Sequence, residues 1–314
     1  MLRAQFLLAL AGLATSPVLP LSPASGPTPA LRARVERLEA VDERHGSAGL
    51  VGTSRELAAA LRDRADADPW FGRLAGAAAE NAAWTAFDAG LPGLALRRWD
   101  LALVLAARHR DRPNAARARA SMALAAADTG DGVAAVRHVR TARAVCPDAP
   151  AHLASLLAAR AALGHGHRRD GEGTRVSLRA AESALAAARG QAEESWLRFW
   201  GPADLACHRA KALAALGDRP GAERAAREAV AAVPAGQRRN ATLYQALLAG
   251  LLAERGELDE ARRLVDGVVR AGVPDSARVR ARLARAVTTI EARDPGYHPA
   301  WSRATRESLV VRFG

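Results

Sequence analysis

The chain has 314 residues, of which 49% are hydrophobic, 4% aromatic and 78 are alanine, a composition that can bury a substantial core, argues against a β-rich fold and favours packed helices. The net charge of +12 is carried by 45 basic residues, 44 of them arginine with Lys211 the sole lysine, and they are spread along the chain, which describes solvated helix faces and not a clustered phosphate-binding patch. Cys146 and Cys207 show no CxxC spacing, so neither a disulfide framework nor a cysteine zinc site is expected, only buried or idle thiols.

Residues 1–29 open with Arg3, an apolar run from Phe6 to Leu13 and then proline and serine, the outline of a secretory signal and too interrupted to span a membrane. From Pro29 onward Leu31, Val35, Leu38 and Val41 form one stripe at helical spacing that ends near Gly46. Thr53 or Ser54 is placed to cap a second helix with Leu57 and Leu61 facing inward, and Pro69 starts a third that carries Trp70, Phe71, Trp84 and Phe87. After a break at Pro147 and Pro150 a helix is predicted to run to Gly164, followed by an exposed Gly-rich loop over 164–173 and a helix over 175–189. Trp196, Phe199 and Trp200 precede a helix opened by Pro202. A helix over 276–293 carries Val279, Leu283, Ala286, Val287 and Ile290, and Trp301, Leu309, Val310 and Phe313 belong to a last capping segment over 294–314.

A repeat runs beneath these elements. Around Gly217, Ala210 lies seven residues upstream, Ala222 five downstream and Ala229 twelve downstream; around Gly256 the same places hold Ala249, Ala261 and Val268. The ruler also fits Gly130, with Ala123, Ala135 and Ala142, and Gly90, with Ala83, Ala95, Trp99 and Ala102; the stretch around Gly164 lacks most of the pattern. Antiparallel helices approach closely only where a methyl or hydrogen replaces a larger side chain, and glycine permits the sharp turn between them.

This pattern resembles the tetratricopeptide repeat, where small residues sit midway along both helices and proline closes the unit. Residues 35–43 (VERLEAVDE), 84–90, Trp196 to Trp200 with Ala203, Asp204, Leu205 and His208, and Arg238, Arg239 and Asn240 with Leu243 and Tyr244 are similar to the tetratricopeptide sensor region of bacterial helix-turn-helix transcriptional regulators of the XRE type. Gln5, Phe6 and Leu7 with Leu10 to Ala14 resemble the segment that links the DNA-binding head of those regulators to the repeats. The resemblance implies an all-α, right-handed α-solenoid of about five helix hairpins over residues 30–293, with capping helices at the N- and C-terminal ends and without the DNA-binding head.

Catalytic and cofactor signatures are missing from the sequence: there is no nucleophile elbow, phosphate loop or dinucleotide fingerprint, so neither enzyme activity nor a cofactor is expected. His165 and His167 with Asp170 and Glu172 lack the fixed geometry of a metal site, and no metal is expected. Asp204 and His208, four apart on one helix face, either form an acid–base pair or brace the repeat boundary against Arg238 or Arg239, and nothing supplies a nucleophile for the first alternative.

The expectation is a non-enzymatic, cytoplasmic interaction or sensor module in transcriptional regulation or signalling, with a protein or peptide partner on the concave face. Trp84, Asp88, Asp128, Asp204, His208 and Lys211, on the first helices of their units, are the candidate partner-binding residues. Two alternatives are a DNA-binding regulator whose helix-turn-helix lies upstream and an exported repeat protein. Direct nucleic-acid binding is not favoured, no membrane span is expected, and oligomeric state is not legible in the sequence.

Overall fold

Proline, aspartate and left-handed residues punctuate the chain, and helices fill the intervals. The computed structural model describes residues 29–189, 195–297 and 299, and among these it is all-helical, with thirteen α-helices, two short 3₁₀ turns and no strand. The helices are α1 (Pro29–His45), α2 (Val51–Arg62), α3 (Pro69–Asp88), α4 (Pro92–Arg108), α5 (Arg112–Asp128), α6 (Gly132–Val145) and α7 (Ala151–His167). They continue with α8 (Gly171–Ala187), α9 (Pro202–Leu216), α10 (Arg219–Ala232), α11 (Arg238–Arg255), α12 (Leu258–Ala271) and α13 (Ala277–Arg293). The expected segments over 1–28 and from Trp301 onward lie outside the described residues.

Local chemistry sets the boundaries. The carboxylates of Asp68, Asp111, Asp131, Asp170 and Asp218 and the hydroxyl of Ser276 each accept a backbone N–H at the start of a helix, satisfying a donor that has no partner within it. Pro69, Pro92 and Pro202 stand at first helical positions, where the missing N–H costs nothing. Helix α2 differs from expectation: it starts at Val51 without a side-chain cap, because the Ser54 hydroxyl is buried against Thr85 at 2.8 Å and also bonds the Val51 carbonyl.

Consecutive helices pack as neighbours, α3 with α4, α5 with α6, α7 with α8, α9 with α10 and α11 with α12. The first helices also touch one another, α3 with α5, α5 with α7 and α7 with α9, so they form an inner layer. Burial reflects this: α7 buries 13 of its 17 residues and α8 only 4 of its 17, which places α8 outside with a single apolar stripe turned inward.

The alanines of the repeat lie where the helices meet. Ala83, Ala95, Ala102, Ala123, Ala135, Ala142, Ala210, Ala222, Ala229, Ala249 and Ala261 are all buried, and Gly90, Gly130, Gly217 and Gly256 adopt the left-handed conformation at φ 81°, 86°, 101° and 90°. A further copy is centred on Arg169, which takes the same conformation at φ 58° and has buried Ala162, Thr174 and Ala181 at the matching places. The expected exposed loop over 164–173 is therefore corrected: α7 runs to His167, and Gly164 and Gly166 are buried contact points in it. A Cβ on Gly166 would stand 2.5 Å from the Ala212 carbonyl oxygen of α9, and one on Gly164 would stand 3.0 Å from the Gly132 carbonyl oxygen of α6.

Contacts also join parts far apart in sequence. Helix α1 packs on α3 and also on α11. Beyond α1, the Ala48 N–H bonds the Asp275 carbonyl at 3.1 Å, and the Asp275 N–H bonds the His45 carbonyl at 2.8 Å. Gly46, at φ 90°, is required there, since a Cβ would lie 2.6 Å from the Asp275 backbone.

Candidate functional site

One face of α1 carries acidic residues and faces the inner layer. Between α1 and helices α3, α5 and α7 lies a cavity of about 660 Å³, closed on another side by residues 196–199 and by Arg239 of α11. Such a volume falls in the range of small-molecule and peptide-anchor sites. Its walls mix aromatic surface from Trp84, Trp196 and Phe199 with carboxylates and guanidinium groups.

Most of those charges are already paired. Arg117 reaches Glu39 at 3.1 Å and Glu80 at 2.5 Å, with its guanidinium carbon 4.8 Å from the Trp196 ring centre. Glu80 also accepts from the Ser121 hydroxyl at 2.7 Å. Asp42 accepts from Ser47 and from the Trp84 indole N–H at 3.2 Å, and it lies 3.4 Å from Arg239. Burial pushes the carboxyl groups of Glu39, Asp42 and Glu43 above their ordinary values, against the pull of Arg117 and Arg239.

Arg160 is different. It is 3% exposed, lines the cavity from α7, and its Nε and Nη1 meet no acceptor. Burial lowers the pKa of its guanidinium to about 10. Across α5, the Asn81 side chain is also buried on the cavity wall with its Oδ1 unpartnered.

The six sequence-derived candidates lie in and beside this region; Asp88, Asp204 and His208 are buried, Lys211 and Trp84 are half-buried and Asp128 is exposed, and each has a polar partner. Trp84 lines the cavity. Asp88, 1% exposed, accepts from Arg239 Nη1 at 3.2 Å and from the Ser276 hydroxyl at 2.9 Å, with Arg278 at 3.7 Å. Asp128 accepts from Lys211 Nζ at 2.6 Å and from Arg278 at 3.1 Å. Burial raises the Asp128 carboxyl, but Lys211, Arg278 and Arg282 outweigh it and hold the group well below the usual carboxylate range. Burial brings Lys211 down to about 8. Asp128 and Lys211 also line a smaller hollow of about 230 Å³ between α9, α11 and α13.

Asp204 and His208 do not form a side-chain pair. His208 Nδ1 bonds the Asp204 backbone carbonyl at 2.8 Å, its ring stands edge-on to Trp200 at 5.1 Å, and burial keeps it well below its ordinary pKa, hence neutral. The Asp204 carboxyl accepts from the Tyr244 hydroxyl and from Asn240 Nδ2 at 3.3 Å, and burial raises it to about 7. The expected brace to Arg238 or Arg239 is corrected accordingly: Tyr244 and Asn240 of α11 make it. Arg239 turns instead to Asp42 and Asp88, and Arg238 bonds the carbonyls of Ala271 and Gly272.

His165 bonds Asp170 at 2.7 Å, and Asp170 caps α8, so this pair is part of a turn. Among the described residues no group of three or more His, Cys, Asp or Glu is arranged to hold a metal, and no helix is long and apolar enough to cross a membrane. Cys146 and Cys207 are buried free thiols, and burial raises Cys207 to about 11, away from reactivity.

The sequence reading missed Arg117, Arg160, Glu80 and Asn81. Arg160 is one arginine among 44 and gives no local signal; the acids of α1 were visible as Glu36, Glu39, Asp42 and Glu43 within one short helix. In comparison with known proteins, no family model matches the chain and no curated protein matches it.

Proposed function

We propose that this chain is a non-enzymatic helical-repeat sensor: a solenoid of five tetratricopeptide-like hairpins that takes a partner segment or effector into the cavity beneath α1, in transcriptional regulation or signalling. The observation that carries the reading is the cavity itself, about 660 Å³, walled by Trp84 of the inner layer and by Trp196 and Phe199 from the turn before α9. Aromatic walls with a few placed polar groups are what a binding site requires. The resemblance to regulator sensor regions supplies the biological setting.

The test is photo-crosslinking in the native host from a benzoylphenylalanine at Ala33, on the cavity wall, with Val104, exposed on α4, as control position. Discrete adducts formed from residue 33, absent from residue 104 and lost on Trp196→Ala, support the reading. Equal labelling from both positions contradicts it.

A further inference from the structure

Burying a cation without a partner is expensive, several kcal/mol even after relaxation, so a guanidinium held that way marks a place where a partner arrives from outside. The other cavity-wall arginines with charged partners in the structure are Arg117, committed to Glu39 and Glu80, Arg239, committed to Asp42 and Asp88, and Arg198, 4.0 Å from Glu36. Arg160 bonds no carboxylate. The carboxylates that act on it, Asp128 and Asp204, already have partners, the first Lys211 and Arg278 and the second Tyr244 and Asn240.

Asn81 completes the picture. Its Oδ1 is buried without a donor and stands on α3, while Arg160 stands on α7, with α5 packed between the two helices. Two interhelical spacings of about 8–10 Å separate the backbones, and the side chains reach inward from each, which leaves room for a bicyclic ring system between them. The surface between carries Trp84, Trp196 and Phe199.

We propose that the cavity binds a small aromatic carboxylate carrying an N–H or hydroxyl donor, its carboxylate on Arg160, its ring against the tryptophans and its donor on Asn81. The inference rests on the cavity being a binding site and adds the chemistry of the occupant. A charge-assisted contact to a desolvated guanidinium is worth about 10-fold or more in affinity.

The experiment is calorimetric titration of the full chain with three indoles that differ only in the end group: indole-3-acetate, indole-3-acetamide and tryptamine. The acetate is expected to bind at least about 10-fold more tightly than the amide, and tryptamine not to bind. Arg160→Met should erase the difference between acetate and amide, Arg160→Lys should retain part of it, and Asn81→Leu should weaken acetate and amide alike. Thermal melting supplies a readout independent of the probe: in the ligand-free protein Arg160→Met should raise Tm, because an unpaired buried charge is removed. Failure of the acetate to bind, equal binding of acetate and amide, or a fall in Tm for Arg160→Met overturns the proposal. Crosslinking from residue 33 that persists in Arg160→Met would leave the cavity as a binding site while removing its anion preference.

Discussion

Arg239 on α11 donates to Asp88 on α3 across 151 residues of sequence, at 3.2 Å, with both side chains almost wholly buried. The same guanidinium lies 3.4 Å from Asp42 of α1, so three helices converge on one charge. Burial opposes the charge on Arg239, and Asp42 and Asp88 outweigh it, raising its pKa above the ordinary value.

Replacing Arg239 by methionine leaves Asp42 and Asp88 buried near each other without their shared cation. Urea denaturation should show a loss of about 3–5 kcal/mol, the usual result of removing one partner of a buried ion pair. Asp88→Asn in the same chain should recover part of it, since one uncompensated charge is then gone. A loss below about 1 kcal/mol for Arg239→Met would mean that the three helices do not depend on this contact.

The close helix contacts predict opposite outcomes for two glycines. Gly166→Ala drives a methyl to 2.5 Å from the Ala212 carbonyl and should destabilise by about 1–3 kcal/mol as α7 and α9 separate. Gly52, on α2, has nothing within 4 Å of the added carbon, so Gly52→Ala should stabilise by about 0.5–1 kcal/mol. Thermal melts of both variants decide this.

Arg110 is an exposed residue at φ 53°. Arg110→Gly should raise stability by about 0.5–1 kcal/mol, as the steric penalty of the left-handed conformation exceeds the added freedom of the unfolded chain. Arg169 shares the conformation but donates to the Leu216 carbonyl at 2.8 Å, and Arg169→Gly should gain less.

The Arg169 turn also marks where the sequence was and was not legible. Around Gly90, Gly130, Gly217 and Gly256 the alanine spacing was readable because glycine announces the left-handed turn. Around residue 169 an arginine fills that place, so the flanking Ala162, Thr174 and Ala181 had no visible anchor, and the glycines at 164 and 166 read as loop when they are helix contacts. The candidate site was legible in part. Asp204, Asn240 and Tyr244 stood in the segments that resembled the regulator sensors, but their mutual bonds depend on how α9 meets α11, and the packing of α1 on α11 has no signature in local pattern.

Asp204 gives the pH dependence. Its carboxyl rises from 3.8 to about 7 on folding, so the folded state binds a proton that the unfolded state has lost. The associated stability is fully present below pH 4 and is lost as pH rises through 7, a change of up to about 4 kcal/mol. Neutral, buried His208 acts in the other direction, since the unfolded chain takes up a proton below its ordinary pKa. Asp204→Asn removes the first effect and leaves the second, because His208 bonds the backbone carbonyl. The stability of wild type minus Asp204→Asn should therefore fall steadily from pH 5 to pH 8; a flat difference would show that the carboxyl titrates near its usual value.

The central claim is that the hollow beneath α1 receives a ligand. Ala40 lines it from α1 on an exposed position, so Ala40→Trp fills the space with little disturbance of the core. The direct measurement is adduct yield from the photo-reactive residue at position 33 in otherwise wild-type and Ala40→Trp chains of equal Tm. Loss of the adducts in the filled variant is the predicted result; undiminished adducts would contradict it.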